Sequence, residues 1–406
     1  MKKFLKSVLL LWVMLLFWST SSAQEKVKTG WNVGPLPAVS YNSDLGFQYG
    51  VLCDLYWFGD GSTYPEYLHK FNAEVSRYTK GSGTYHLFYD SKYLLRGLRT
   101  TIAVSYLTDR MMDFYGFNGY NSVYDNEKGA SYYKIDRNLF RSTADFQGSI
   151  VKNLGWAMGI GYYHYATGPV KTDEYEGAAN LYSEYVKKGI IGSDEKDGGG
   201  RVELKLGIVH DTRDHEADPY RGFKSEAIFL VSPGKSVYTK LLLTNTGYIP
   251  IAGNKLTFAY RLAYQGTLTG EQPFYMLQNI STLYLKQIRS EGLGGQNSLR
   301  GILRNRVVGA GVVWGNAELR YRFAKFTLLN QNWYAAVNPF FDAGRVVSHY
   351  RKDLLSAAEL EEMHLSAGFG IKLVMNRNFI ISGEWGKPLC ERDGGSGLYI
   401  GLNFIF

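Results

Sequence analysis

The sequence is short of cysteine, of proline and of long apolar runs. Two cysteines, Cys53 and Cys390, in 406 residues give no disulfide framework. Beyond the first 23 residues no run of 18 apolar residues remains, which excludes helical membrane spans. G-x-S-x-G, H-E-x-x-H and a P-loop are missing as well; "PGKS" at 233–236 imitates the end of a P-loop, but Phe229 stands where its first glycine is required. No linker divides the chain, and no repeat of 20–50 residues appears. These gaps leave no catalytic residues, metal ligands or cofactor motif to name. The cluster His210–Asp218 offers His and carboxylates, but on a strand His210, Thr212 and Asp214 face one way and Asp211 and Arg213 the other. Its candidate ligands diverge.

What is present is aromatic and glycine-rich: 32 Tyr, 22 Phe, 8 Trp and 46 Gly against 10 Pro. With modest mean hydropathy, this suits a barrel whose strands are apolar on one face, with aromatics at both membrane interfaces. Lys2, Lys3 and Lys6, the apolar run Val8–Trp18 and the small residues Ser21-Ser22-Ala23 have the layout of a secretory signal peptide over 1–23. No Cys follows, so a lipoprotein is not expected. The net charge is +8, and about +5 without the three early lysines. Its interspersed signs indicate lumen and loop charge, not a nucleic-acid partner.

Alternation supplies the strands. In "SGLYIGLNFIF", Leu398, Ile400, Leu402, Phe404 and Phe406 share one face. In "VVWGNAELRYRF", Leu319, Tyr321 and Phe323 share one face, and Asn316, Glu318, Arg320 and Arg322 the other. A soluble sandwich would show the same period. Sixteen strands are expected at 34–41, 45–57, 66–79, 82–92, 97–109, 137–151, 155–167, 201–213, 222–232, 236–249, 254–268, 310–324, 331–347, 364–375, 378–387 and 396–406. With both ends periplasmic, the turns at 152–154, 252–254 and 376–377 are short. The loops 110–136, 168–200, 269–309 and 348–363 on the other side are long, as in bacterial outer-membrane barrels. The expected architecture is all-β: a 1–23 signal peptide, a short periplasmic segment 24–33, and a 16-stranded antiparallel transmembrane β-barrel over 34–406. Cys53 would face lipid near the periplasmic end of its strand and Cys390 would lie in the last external loop, too far apart to bridge.

Several stretches in order resemble the bacterial surface antigen family, the barrel of the BamA/TamA superfamily of outer-membrane assembly and translocation proteins. "HDTRDHEADPYRGF" is similar to its D-x-R-D…P-x-x-G signature through Asp211, Arg213, Asp214, Pro219 and Gly222. "GGQNSLRGI" resembles its loop-six motif through Leu299, Arg300 and Gly301, with Ile302 where the family has an aromatic. "NPFFDAGRVV" matches F-x-D-x-G through Phe340, Asp342 and Gly344. Phe404 and Phe406 fit the carboxyl-terminal aromatic pattern read as an assembly signal. The resemblance implies loop six folded into the lumen with Arg300 against Asp342, where a guanidinium can donate bidentately to a carboxylate. It also implies the cell outer membrane, lipids and lipopolysaccharide around the wall, and outer-membrane protein clients with periplasmic or lipoprotein assembly partners. The POTRA domains that usually precede such barrels, about 75 residues each, do not fit in the short segment here. The expected role is assistance of insertion or translocation by lateral opening at the seam near Ala38–Tyr41. The rival expectation is a passive channel or structural surface barrel; a hydrolase barrel is the remote third.

Overall fold

The computed structural model describes residues 27–406 apart from 65, 130, 171–178, 235, 281–290, 329–330, 356–359, 376, 378 and 403. The expected signal peptide lies outside the described residues. In chain order the strands are β1 (Trp31–Pro37), β2 (Ser40–Asn42), β3 (Gly46–Trp57), β4 (His69–Tyr78), β5 (Ser82–Leu95), β6 (Leu98–Asp113), β7 (Lys134–Val151), β8 (Leu154–Pro169) and β9 (Gly198–Asp211). They continue as β10 (Gly222–Ser232), β11 (Tyr238–Ala252), β12 (Leu256–Thr269), β13 (Gly311–Leu328), β14 (Gln331–Ser348), β15 (His364–Met375), β16 (Phe379–Pro388) and β17 (Gly397–Leu402). A short helix, α1 (Leu181–Lys187), lies in a loop.

Both β1 and β2 register antiparallel on β3, from Trp31↔Trp57 to Asn42↔Gly46, so they are two pieces of one stave. Pro35 and Pro37 lie in the first piece, before the break at Ala38–Val39; proline has no N–H to give a ladder. Counted this way there are sixteen staves, and β2 pairs with β17 to close the ring. Among the described residues β1 is paired with β3 alone, so closure rests on the β2–β17 contact; a closed ring is what lets strands cross hydrocarbon.

The alternation sorts as expected. Leu319, Tyr321 and Phe323 point outward and exposed, while Asn316, Glu318, Arg320 and Arg322 are buried inside. Met158, Ile160 and Tyr162 on β8 are exposed between the buried Ala157 and Tyr163. A soluble sandwich would bury the apolar face; here that face is the outer wall.

Two ends of the expected architecture are corrected. The first stave begins at Trp31, inside what the sequence suggests is a periplasmic segment, because Trp31 pairs with Trp57 and its ring packs at a tilt against that of Trp57, with centroids 4.8 Å apart. The last strand stops at Leu402. Leu398, Ile400 and Leu402 face outward, but Phe404 and Phe406 leave that face and turn into the lumen. There the Arg320 guanidinium lies 4.0 Å from the Phe404 ring centre and 5.0 Å from that of Phe406. The cations offer the rings attraction inside the lumen that hydrocarbon does not.

The connections separate by end. Those at 96–97, 152–153, 253–255 and 376–378 are short, and the connections 114–133, 170–197, 270–310 and 349–363, on the other side, are long. The described parts of the long loops share a buried aromatic core: Phe114 and Phe117 of the third connection at that end, Tyr185 of α1, Phe274 of the sixth and Tyr350 of the seventh. Phe117 meets Tyr350 edge-on at 4.8 Å. Asn118 and Tyr350 exchange two hydrogen bonds, of 2.9 and 2.7 Å. These loops therefore pack as a cap instead of standing as separate solvated segments. Cys53, on β3, and Cys390, beyond β16, are both free thiols.

Candidate functional site

The barrel interior is organised by the sixth connection, 270–310, called loop six here. Its stretch "LGGQNSLRGILRNR" dips into the lumen, and Arg300, Arg304 and Arg306 are among the largest fully buried side chains. Glycine makes the dip possible. Gly301 has φ +90°, and a Cβ there would sit 2.4 Å from the carbonyl carbon of Gly386 on the wall; only hydrogen fits. On β14, a Cβ at Gly344 would come within 3.0 Å of the Leu299 side chain. Ile302, in place of an aromatic, packs with Leu293, Leu299, Val307, Trp314 and Val346.

Arg300 lies against Asp342. Its Nε and Nη2 donate to the two Asp342 oxygens at 2.9 and 2.8 Å, and its backbone N–H donates to Oδ2 at 3.0 Å. The Phe340 ring centre is 3.5 Å from the guanidinium carbon, so the ring carries the cation on its face. Thus the loop-six residues Leu299, Arg300 and Gly301 meet Phe340, Asp342 and Gly344 in one place. Two further carboxylates complete the site: Arg300 Nη1 donates to Glu318 at 2.6 Å and to Glu384 at 2.8 Å. Glu318 also accepts from Arg320 at 2.8 Å, and Glu384 from Lys372 at 2.8 Å. Asn316 bridges Asp342 and the Ser298 carbonyl, each at 2.7 Å. Arg300, Arg320 and Lys372 thus pair directly with Asp342, Glu318 and Glu384, and a fourth cation, Arg261, joins through Asn316, to whose side-chain oxygen it donates at 2.8 Å; such mutual pairing is the condition under which buried charge is tolerated.

Sequence reasoning missed Glu318 and Glu384 as partners of Arg300, and Lys372 as the partner of Glu384. The available signal was weak: each is a charge at an inward position of an alternating strand. Which inward charges converge depends on stagger around the barrel, and that cannot be read from one strand.

The other two arginines pull elsewhere. Arg304 pairs with Asp109 on β6 and, through Nε, with Glu291 at 3.1 Å. Arg306 donates to the Gly119 carbonyl of the cap at 2.8 Å and lies 3.8 Å from Asp393. Loop six is thereby tied to two sides of the wall and to the cap.

It also touches the closing seam. The amide of Asn42, the last residue of β2, donates to Gln296 at 3.0 Å. Asp44, in the turn between β2 and β3, has one carboxylate oxygen buried without a hydrogen-bond partner. Burial pushes its pKa up to about 7; Asp113 and Glu291 add to the rise, while Arg304 and Lys134 oppose it. An Asp that stays protonated to higher pH in the folded state than in the unfolded chain makes stability fall as pH rises, here between about 4 and 7. The thermal midpoint of the purified protein is expected to drop from pH 5 to pH 8, and Asp44→Asn to flatten that drop. An equal slope in both proteins would show that Asp44 does not control it.

The D-x-R-D segment lies at the short-turn end. Arg213 donates to both oxygens of Asp211, at 2.9 and 2.7 Å. Asp214 accepts from the backbone N–H groups of Tyr220 and Arg221 at 2.9 and 3.1 Å. Pro219 is buried and Gly222 opens β10. Among the described residues no cluster of His, Cys, Asp and Glu could hold a metal ion.

Comparison with known proteins gives the wider setting. The BamA of Haemophilus ducreyi lacking POTRA domains 1–3 is similar over 93% of this chain and 71% of that one, with TM-score 0.61 and 16% identity. CdiB from Escherichia coli is similar over 93% of this chain and 63% of that one, with TM-score 0.58 and 11% identity. At such identities the likeness is one of fold. No curated protein sequence matches the chain. The family model described as the Omp85 superfamily domain matches residues 69–406, most of the closed barrel and all of loop six, and the chain therefore belongs to the Omp85 superfamily of outer-membrane β-barrels.

Proposed function

We propose that this barrel assists the insertion or translocation of outer-membrane or surface proteins by opening laterally between its first and last staves. Partner proteins would supply recognition on the periplasmic side. The observation that carries the reading is the closing seam. There, among the described residues, β2 and β17 share only the pairs Asn42↔Tyr399 and Tyr41↔Ile400, with Ser43 and Leu398 adding bonds of 3.0 and 2.7 Å just beyond. A client strand can pair with an edge exposed there, because main-chain hydrogen bonds are indifferent to side-chain sequence. The action is mechanical, with no chemical step assigned to any residue.

A passive channel is the second reading, since fold does not fix function. Loop six in the lumen and the aromatic cap over one mouth favour it less. The deciding experiment is crosslinking in intact cells, with reactive groups placed at Tyr41 and Ile400, followed by identification of the captured proteins. Nascent barrels or assembly lipoproteins are the expected catch. Capture of lipid alone, beside a steady single-channel conductance, would replace the proposal with the passive channel.

A further inference from the structure

The lumen is also partitioned at the short-turn end, by a part of the chain the lateral-opening reading does not use. The connection 212–221 joins β9 to β10, yet it is anchored on staves well round the ring. Asp218, almost fully buried, pairs with Arg322 of β13 at 2.9 Å. Arg377, in the turn between β15 and β16, pairs with Asp214 at 2.7 Å, donates to the Asp218 carbonyl at 2.7 Å and lies 3.4 Å from the Asp218 carboxylate. The Tyr220 ring lies 5.8 Å from the Arg322 guanidinium and 5.6 Å from that of Arg377. A turn of ten residues that only reversed the chain would need none of these contacts; hairpin loops commonly take two to five.

Two cavities meet at this turn. On one side is a lumen chamber of about 340 Å³ below loop six, lined by Ala217, Arg261, Ser382 and Phe406 among others. On the other is a vestibule of about 940 Å³, lined by Glu66, Lys92, Arg99, Asp214 and His215 among others. Arg213 and Glu216 of the turn line both, together with Lys224 at the start of β10, so the turn forms much of the wall between them.

We infer that residues 212–221 form an inner strap that closes the lumen chamber to the short-turn end and is held shut by the pairing of Asp214 and Asp218 with Arg322 and Arg377. The Asp218–Arg322 pair is buried, and losing one partner of such a pair leaves an uncompensated charge. Arg377 is about a third exposed, with 37% of its side-chain surface open, and ions can screen its pairs. The strap is therefore a salt-sensitive gate. It stands whether the barrel opens laterally or conducts passively, and its test needs no client.

The test uses the full chain in proteoliposomes, with Cys53→Ser and Cys390→Ser, and Ser382→Cys as a reporter inside the chamber. The readout is the rate of modification by a small charged thiosulfonate. Arg322→Gln with Arg377→Gln is expected to raise that rate at least about tenfold, the factor that follows from losing about 1.4 kcal/mol of closing free energy. In the reporter protein with both arginines intact, raising salt should also speed the reaction. The unboiled electrophoretic shift reports whether the double variant has folded; if it has not, the salt series decides alone. Rates indifferent to salt and to the substitutions would overturn the strap.

Discussion

A disulfide between Tyr41→Cys and Ile400→Cys, in a Cys53→Ser, Cys390→Ser background, is expected to abolish assembly activity and leave the barrel folded in the membrane. The two positions are directly opposed across β2 and β17 and both side chains face outward. Directly paired strand residues lie close enough for such a bridge. The effect should be large because so little holds the seam: among the described residues the ladder there is confined to Tyr41–Ser43 and Leu398–Ile400. The sequence placed it slightly earlier, at Ala38–Tyr41. Each bond contributes only about 0.5–1.5 kcal/mol net in water, although one left unmade costs more in lipid. One covalent link should outweigh a junction of this kind. Reduction should restore activity. Undiminished activity in the oxidised protein would remove lateral opening and promote the passive channel, whose conductance the link should not change.

Arg300→Ala should free loop six from the wall without dissolving the barrel. The substitution takes from Asp342 the guanidinium that pairs with it, leaves Glu318 with Arg320 and Glu384 with Lys372, and removes the cation from the face of Phe340. Breaking a buried pair by removing one partner typically costs about 3–5 kcal/mol, and water in the lumen reduces that. Asp342→Ala should do less, because Glu318 and Glu384 still hold the guanidinium. The difference between the variants separates a three-carboxylate site from a simple pair. Protease cleavage within 293–306 is the measurement, with Arg300→Ala cut fastest. Equal protection in both variants and the parent would show that Arg304, Arg306 and the apolar packing of Ile302 hold the loop without it.

The barrel was legible from the sequence because alternation is local. Each strand declares its two faces on its own, as Leu319 and Tyr321 do against Glu318 and Arg320, and the contrast between short turns and long loops separates the two ends. The pairing of Arg300 with Asp342 was legible only through resemblance, since 42 residues separate them and no period links them. The missed features all depend on where distant strands meet. Glu384 reaches Arg300 because the ring closes and its staves are staggered. Phe404 and Phe406 continue an outward alternation in the sequence, yet Arg320 inside the lumen draws them off it. The turn at 212–221 reads as a plain connection until Arg322 and Arg377 approach it from other staves. The sequence by itself determined the strands, their faces and the class of fold, because those follow from neighbours two residues apart. Only the tertiary structure decided the charge network, the seam and the strap, because buried ions are stable only where every partner converges, and convergence is a property of the closed barrel.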